Sequence, residues 1–100
     1  MRIRIKQLEQ QVKYLNELTG NPLKPYTFKK GSNVGCYYIQ GGYGGYQLEQ
    51  IVNKGGGART LLNTGYTTKK ELYNNINSFL LGIELAKGVW KWNLFIYLKE

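Results

Sequence analysis

Apolar residues Ile5, Leu8, Val12 and Leu15, with Leu18 continuing the stripe, recur every three or four positions and predict a helix over 3–19. Gly20 supplies a stop, and Asn21-Pro22 prevents a restart. Two heptads are few for a free coiled coil, so the stripe reads as an amphipathic helix lying on a sheet. In the connector over 21–33, Pro22, Pro25 and the cluster Lys29-Lys30-Gly31-Ser32-Asn33 mark turns around a short strand at Tyr26-Thr27-Phe28. The period then changes. Val34–Gln40 is β-branched and aromatic, and Tyr46–Asn53 places Tyr46, Leu48 and Val52 on one face, with Gln50 breaking the pattern. Gly41–Gly45 is the expected hairpin loop, and Gly55–Gly57 turns the chain into a third strand, Ala58–Asn63.

Thr68-Lys69-Lys70-Glu71 fits a capping box, with Thr68 as N-cap and Glu71 three residues on. Leu72, Ile76, Phe79, Leu80 and Ile83 then share one helical face, to about Ala86, with Gly88 as the end. Beyond it, Trp90, Trp92, Leu94, Ile96 and Leu98 alternate with Lys91, Asn93, Phe95, Tyr97 and Lys99. A final strand is the favoured reading, although an apolar run also fits a continued helix. Phe95 and Tyr97 on its second face imply packing on a sheet edge or against another subunit, hence a homo-oligomer through 89–98. The expected fold is a single α+β domain over 1–100. Its order is α-β-β-β-α with an extra C-terminal strand, the helices lying on one face of an antiparallel sheet.

An apolar share of 42% excludes a disordered tail, and 100 residues can bury a modest core without staples. Cys36 is alone in an apolar run, which points to a buried inert thiol and excludes an internal disulfide. The N-terminus is charged at once, and the longest apolar run, Val89–Leu98, is broken by Lys91 and Asn93. That run is shorter than the roughly 18 residues a membrane span needs. No membrane association and a reduced, cytoplasmic setting are expected.

Charge changes the picture more. Of a net +8, residues 18–70 hold +6: Lys24, Lys29, Lys30, Lys54, Arg59, Lys69 and Lys70 face Glu49 alone. This field favours an anionic partner, whether nucleic acid, a nucleotide or an acidic protein face. Catalysis lacks its parts. The chain has no His, and all six acidic residues are scattered glutamates, so neither a nucleophile pair nor a metal cluster is in sight and no cofactor is expected. The glycine clusters are followed neither by Gly-Lys-Ser/Thr nor by a helix, which excludes a P-loop and a dinucleotide fingerprint. Lys69-Lys70 does open a helix, where free N–H groups and the dipole already favour anions. Among nine tyrosines, Tyr43 in its glycine loop and Tyr66 are the hardest to bury, and exposed Tyr beside Lys or Arg stacks on bases.

The order α-β-β-β-α, with Lys69-Lys70 opening the last helix and Leu15-Asn16-Glu17-Leu18 followed by Pro25-Tyr26, resembles a double-stranded-RNA-binding domain. The resemblance implies a phosphate clamp at Lys69 and Lys70 and minor-groove contacts from Gln10 and Gln11. The chain departs from that family in lacking its loop histidine, its third helix lysine (near Tyr73) and its Ala-rich second helix. Over about 37–85, Tyr43-Gly44-Gly45-Tyr46-Gln47-Leu48, Gly55-Gly56-Gly57 and Thr68-Lys69-Lys70-Glu71-Leu72-Tyr73 resemble small phage and prophage accessory proteins. That likeness implies a viral setting in the host cytoplasm.

Two functions follow as expectations. One is a non-enzymatic nucleic-acid-binding protein of a phage or mobile element. Lys29, Lys30, Lys54, Arg59, Lys69 and Lys70 would sit on phosphates, with Tyr43 and Tyr66 stacking. The other is an anti-defence or host-takeover protein that binds a host protein or sequesters a signalling nucleotide.

Overall fold

A computed structural model describes residues 2–62 and 65–88. It shows the expected α+β fold. Helices α1 (Ile5–Thr19) and α2 (Lys69–Lys87) lie on one face of an antiparallel sheet. The sheet is formed by β3 (Tyr37–Gly42), β4 (Gly45–Ile51) and β5 (Ala58–Thr60), in that spatial order. A separate two-stranded hairpin, β1 (Tyr26–Thr27) with β2 (Gly31–Ser32), fills the connector. The C-terminal strand and the subunit contact expected at 89–98 lie outside the described residues. No helix among those residues is long and apolar enough to cross a membrane.

The local signals act largely as read. The Arg4 N–H donates to Gln7 Oε1 at 2.7 Å and opens α1, while Gly20, at φ +72°, closes it. Thr68 Oγ1 accepts the Glu71 N–H at 3.2 Å and opens α2, which Gly88 closes at φ +80°. Leu8, Val12 and Leu15 from α1 and Leu72, Ile76 and Leu80 from α2 bury against Tyr37 and Leu48 of the sheet. The Tyr37 and Phe79 rings meet edge-on, 6.1 Å apart. Ile5, expected in the core, is 38% exposed; Ile3, just ahead of the helix, is buried in its place. Leu48 lies fully buried at the centre, so Leu48→Ala removes roughly 2–5 kcal/mol of stability.

Two buried amides tie the layers together, and neither belongs to the apolar stripe. Asn16 Oδ1 accepts the Tyr37 N–H at 2.8 Å, and Asn16 Nδ2 donates to the Tyr37 carbonyl at 3.0 Å. The side chain thus stands where a neighbouring strand would. Gln11 Nε2 donates to the Tyr73 carbonyl at 2.9 Å and to Asn77 Oδ1 at 2.7 Å, joining α1 to α2. With Lys69 over Tyr46 and Phe79 against Tyr37, α2 runs from the β3–β4 turn toward the Tyr37 end of β3, where Asn16 near the end of α1 also lies.

Several expected boundaries move. The register pairs Gly42 with Gly45, so the turn is only Tyr43-Gly44 rather than the whole of Gly41–Gly45. Both turn residues have positive φ, +48° and +73°, the signature of a tight turn whose twist matches its strands. Gly42 and Gly45 are strand residues with a different task. A Cβ on Gly42 would sit 2.9 Å from the Tyr66 ring, and one on Gly45 would sit 2.8 Å from the Thr67 carbonyl oxygen. The chain entering α2 crosses the sheet here, and Tyr46 and Thr67 exchange two backbone hydrogen bonds of 2.9 Å.

β3 starts at Tyr37 rather than Val34, because Gly35 at φ +97° bends the chain and leaves Val34 exposed. β5 ends at Thr60 rather than Asn63. Leu61 still donates to the Leu48 carbonyl at 2.9 Å, but Leu62 turns left-handed at φ +69° and leaves the ladder. The single strand expected at Tyr26–Phe28 ends at Thr27 and gains a partner in Gly31-Ser32, residues with little strand preference of their own. Asn33 secures that partner by donating to Thr27 Oγ1 at 2.7 Å and to the Lys24 carbonyl at 2.9 Å.

Candidate nucleic-acid interface

The eight residues singled out in the sequence fall into two groups at opposite ends of the sheet. The turn end holds Tyr43, Tyr66, Lys69 and Lys70. Tyr43 is 94% exposed at the tip of the β3–β4 hairpin. A left-handed backbone costs an L-residue roughly 1–2 kcal/mol, so Tyr43 occupies a position that glycine or asparagine would fill more cheaply. Its ring meets the Tyr66 ring in an edge-type arrangement, with centroids 5.2 Å apart. Tyr66 lies over Gly42, whose missing side chain makes the room.

Lys69 and Lys70 open α2 beside these rings. The Lys69 ammonium stands 6.0 Å over the Tyr46 ring, and Lys70 is exposed. As the first residues of the helix, both present backbone N–H groups that no earlier turn can satisfy. Glu71 is the acid of this turn. Its carboxylate accepts the Thr67 hydroxyl, which directs it toward the crossing segment.

The far end holds Lys29, Lys30, Lys54 and Arg59. Lys29 and Lys30 occupy the β1–β2 turn beside Phe28, which is 90% exposed. Lys54 sits in the turn between β4 and β5, where Asn53 Oδ1 accepts the Gly57 N–H at 2.9 Å. A Cβ on Gly56 would stand 3.3 Å from Ser32 Oγ, so this turn lies against the β1–β2 hairpin. Arg59 donates from Nε and Nη2 to Gln50 Oε1, at 3.0 and 2.8 Å. Gln50 and Tyr46 are four residues apart on one strand, roughly 13 Å, so the two groups do not form one cluster.

Between them, on the sheet face away from the helices, lies a polar network that charge alone does not reveal. The Tyr38 hydroxyl donates to Glu49 Oε1 at 2.7 Å, and Gln47 Nε2 donates to Glu49 Oε2 at 2.6 Å. Burial and the neighbouring carboxylate push the Tyr38 hydroxyl up to about 12. Alternation alone puts Tyr38, Gln40, Gln47 and Glu49 on this face, so the signal was present in the sequence. Glu49, the lone acid of the basic stretch, is thereby held by its own neighbours.

The contacts implied by the double-stranded-RNA-binding resemblance divide. Gln10 is exposed, but Gln11 is buried between the helices with both amide hydrogens engaged, which removes it from any external surface. Cys36 is fully buried, and burial pushes its thiol pKa up, as fits an inert thiol. Among the described residues, no group of three or more His, Cys, Asp or Glu could hold a metal ion. Comparison with protein-family models, with curated proteins and with solved structures finds no match.

Proposed function

We propose that this is a small non-enzymatic nucleic-acid-binding protein of a phage or other mobile element, and that it holds a single strand at the turn end of its sheet. The observation that carries the reading is Tyr43, almost fully exposed and kept in a left-handed conformation beside Tyr66 and the opening of α2. A flat ring on a rigid tip takes a base, and Lys69, Lys70 and the first N–H groups of α2 take the adjoining phosphates. Every base offers a π-face, so the surface selects for unpaired strands rather than for sequence. The phage setting rests on the sequence resemblance alone.

The test is fluorescence anisotropy with a labelled single-stranded oligonucleotide over a salt series. Binding should fall as salt rises, with a log–log slope on the order of −2 for two or three phosphate contacts. Tyr43→Ala should weaken it by roughly 5–100-fold, the equivalent of one stacked base. Absence of binding at low salt, or binding indifferent to both salt and Tyr43, would overturn the reading.

A further inference from the structure

At the far end of the sheet, the β1–β2 turn is closed by the Lys30 N–H, which donates to the Thr27 carbonyl at 3.1 Å. Its two central residues are Phe28 and Lys29, so a phenyl ring stands at the apex of the hairpin, 90% exposed. Among the described residues, no other ring packs on it. Tyr26 in the first strand is 61% exposed, and Leu23, Val34 and Val52 are each about half exposed. Lys24, Lys29, Lys30 and Lys54 are exposed in the same region. Asn33 holds the Lys24 carbonyl against the hairpin, and Gly56 brings the turn that carries Lys54 up to Ser32. No acid occurs between Glu17 and Glu49, and Glu49 is held on the outer face of the sheet by Tyr38 and Gln47.

We propose that this end of the molecule docks on an anionic lipid surface. Phe28 enters the boundary between headgroups and acyl chains, and Lys24, Lys29, Lys30 and Lys54 rest on the lipid phosphates. The charges are complementary, and a lysine stem can follow the ring inward while its ammonium stays at the headgroup level. One ring and four lysines make a shallow, reversible contact rather than an anchor.

The frame under the ring decides between a lipid surface and a nucleic acid or an acidic protein. Base stacking and docking on a folded partner both need groups fixed in direction, as Tyr43 is by Tyr66 at the turn end. Phe28 has no such brace, and its hairpin has two residues per strand. Lipid contact requires apolar area and charge but no fixed direction, because the headgroup layer is fluid. The expectation of no membrane association rests on the length of apolar runs, which governs spanning and not surface contact.

The test is flotation of the full chain with vesicles, comparing phosphatidylcholine alone with phosphatidylcholine containing about one-third phosphatidylglycerol. The chain should float with the anionic vesicles only, and should be released as salt rises. Phe28→Ala should weaken binding roughly 5–20-fold and Phe28→Leu should restore most of it. Lys29→Ala with Lys30→Ala should weaken it about tenfold or more, whereas Tyr43→Ala should change it less than about twofold. All four side chains are exposed, so circular dichroism should show every variant folded. Excess single-stranded oligonucleotide should not displace the vesicles. No preference for anionic vesicles, binding that Phe28→Ala leaves unchanged, or displacement by the oligonucleotide would each overturn the proposal. The last of these outcomes would assign the far end to nucleic acid.

Discussion

The two ends of the sheet carry six cations and, in Tyr43 and Phe28, the two most exposed aromatic rings among the described residues, yet they hold these groups differently. At the turn end, Lys69 and Lys70 begin a helix anchored to β4 by the Tyr46–Thr67 pair, and Tyr43 and Tyr66 brace each other beside them. At the far end, Lys29, Lys30 and Phe28 occupy the turn of a hairpin with two residues per strand, and Arg59 is already engaged by Gln50. Both ends are positive, but only one places its charge, its rings and open backbone N–H groups on a fixed frame. Local charge density alone is thus a poor guide to a site, since a preorganised surface loses less freedom on binding.

The comparison breaks most sharply at Gly45. Gly45→Ala puts a Cβ against the Thr67 backbone, which cannot swing aside as a flexible side chain would. The crossing segment must lift and the Tyr46–Thr67 bonds are strained. A loss of roughly 2–4 kcal/mol in urea denaturation is expected, together with loss of oligonucleotide binding. An alanine at 45 that left both unchanged would show that the turn end is not the organised one.

Next in size is a direct contest between the ends. Lys69→Ala with Lys70→Ala should weaken single-strand binding about tenfold or more and flatten its salt slope by roughly one to two units, whereas Lys29→Ala with Lys30→Ala should change affinity less than about threefold. The reverse order would move the interface to the β1–β2 hairpin. Tyr43→Gly sharpens the contrast further. It should raise thermal stability by roughly 0.5–1 kcal/mol by relieving the left-handed tyrosine, while reducing binding as Tyr43→Ala does.

The smallest effect concerns the network between the ends. The Tyr38 hydroxyl titrates near 12 when folded, against an ordinary value of 10. The folded state therefore holds this proton more tightly than the unfolded one. The associated stability is complete below pH 10 and is lost as the pH rises through about 12. Ultraviolet titration should show a tyrosine ionising above the ordinary tyrosine range, and Glu49→Gln should bring it earlier.

What the sequence disclosed follows from how local each signal is. The stop at Gly20, the cap at Thr68 and the end at Gly88 depend on a few adjacent residues, and all three stand in the structure. The glycine clusters misled because glycine serves two needs with one letter. Gly44 supplies a positive φ, whereas Gly42 and Gly45 make room for residues more than twenty positions away, which no local pattern encodes. Asn16 and Gln11 were invisible for the same reason: each sits beside an apolar stripe as a polar residue and finds its partner only across the fold. Of the candidate site, Tyr43, Tyr66, Lys69 and Lys70 were legible as residue types. Their separation from Lys29, Lys30, Lys54 and Arg59 was not, because it depends on strand register.

Asn16 also gives the molecule a built-in reporter. The Tyr37 amide proton is shielded by a side chain of α1, not by a strand. Its hydrogen–deuterium exchange rate therefore measures how often the helix lifts from the sheet, separately from the opening of the β3–β4 ladder. Neighbouring Tyr38, bonded within the ladder, supplies the internal clock against which that breathing is timed.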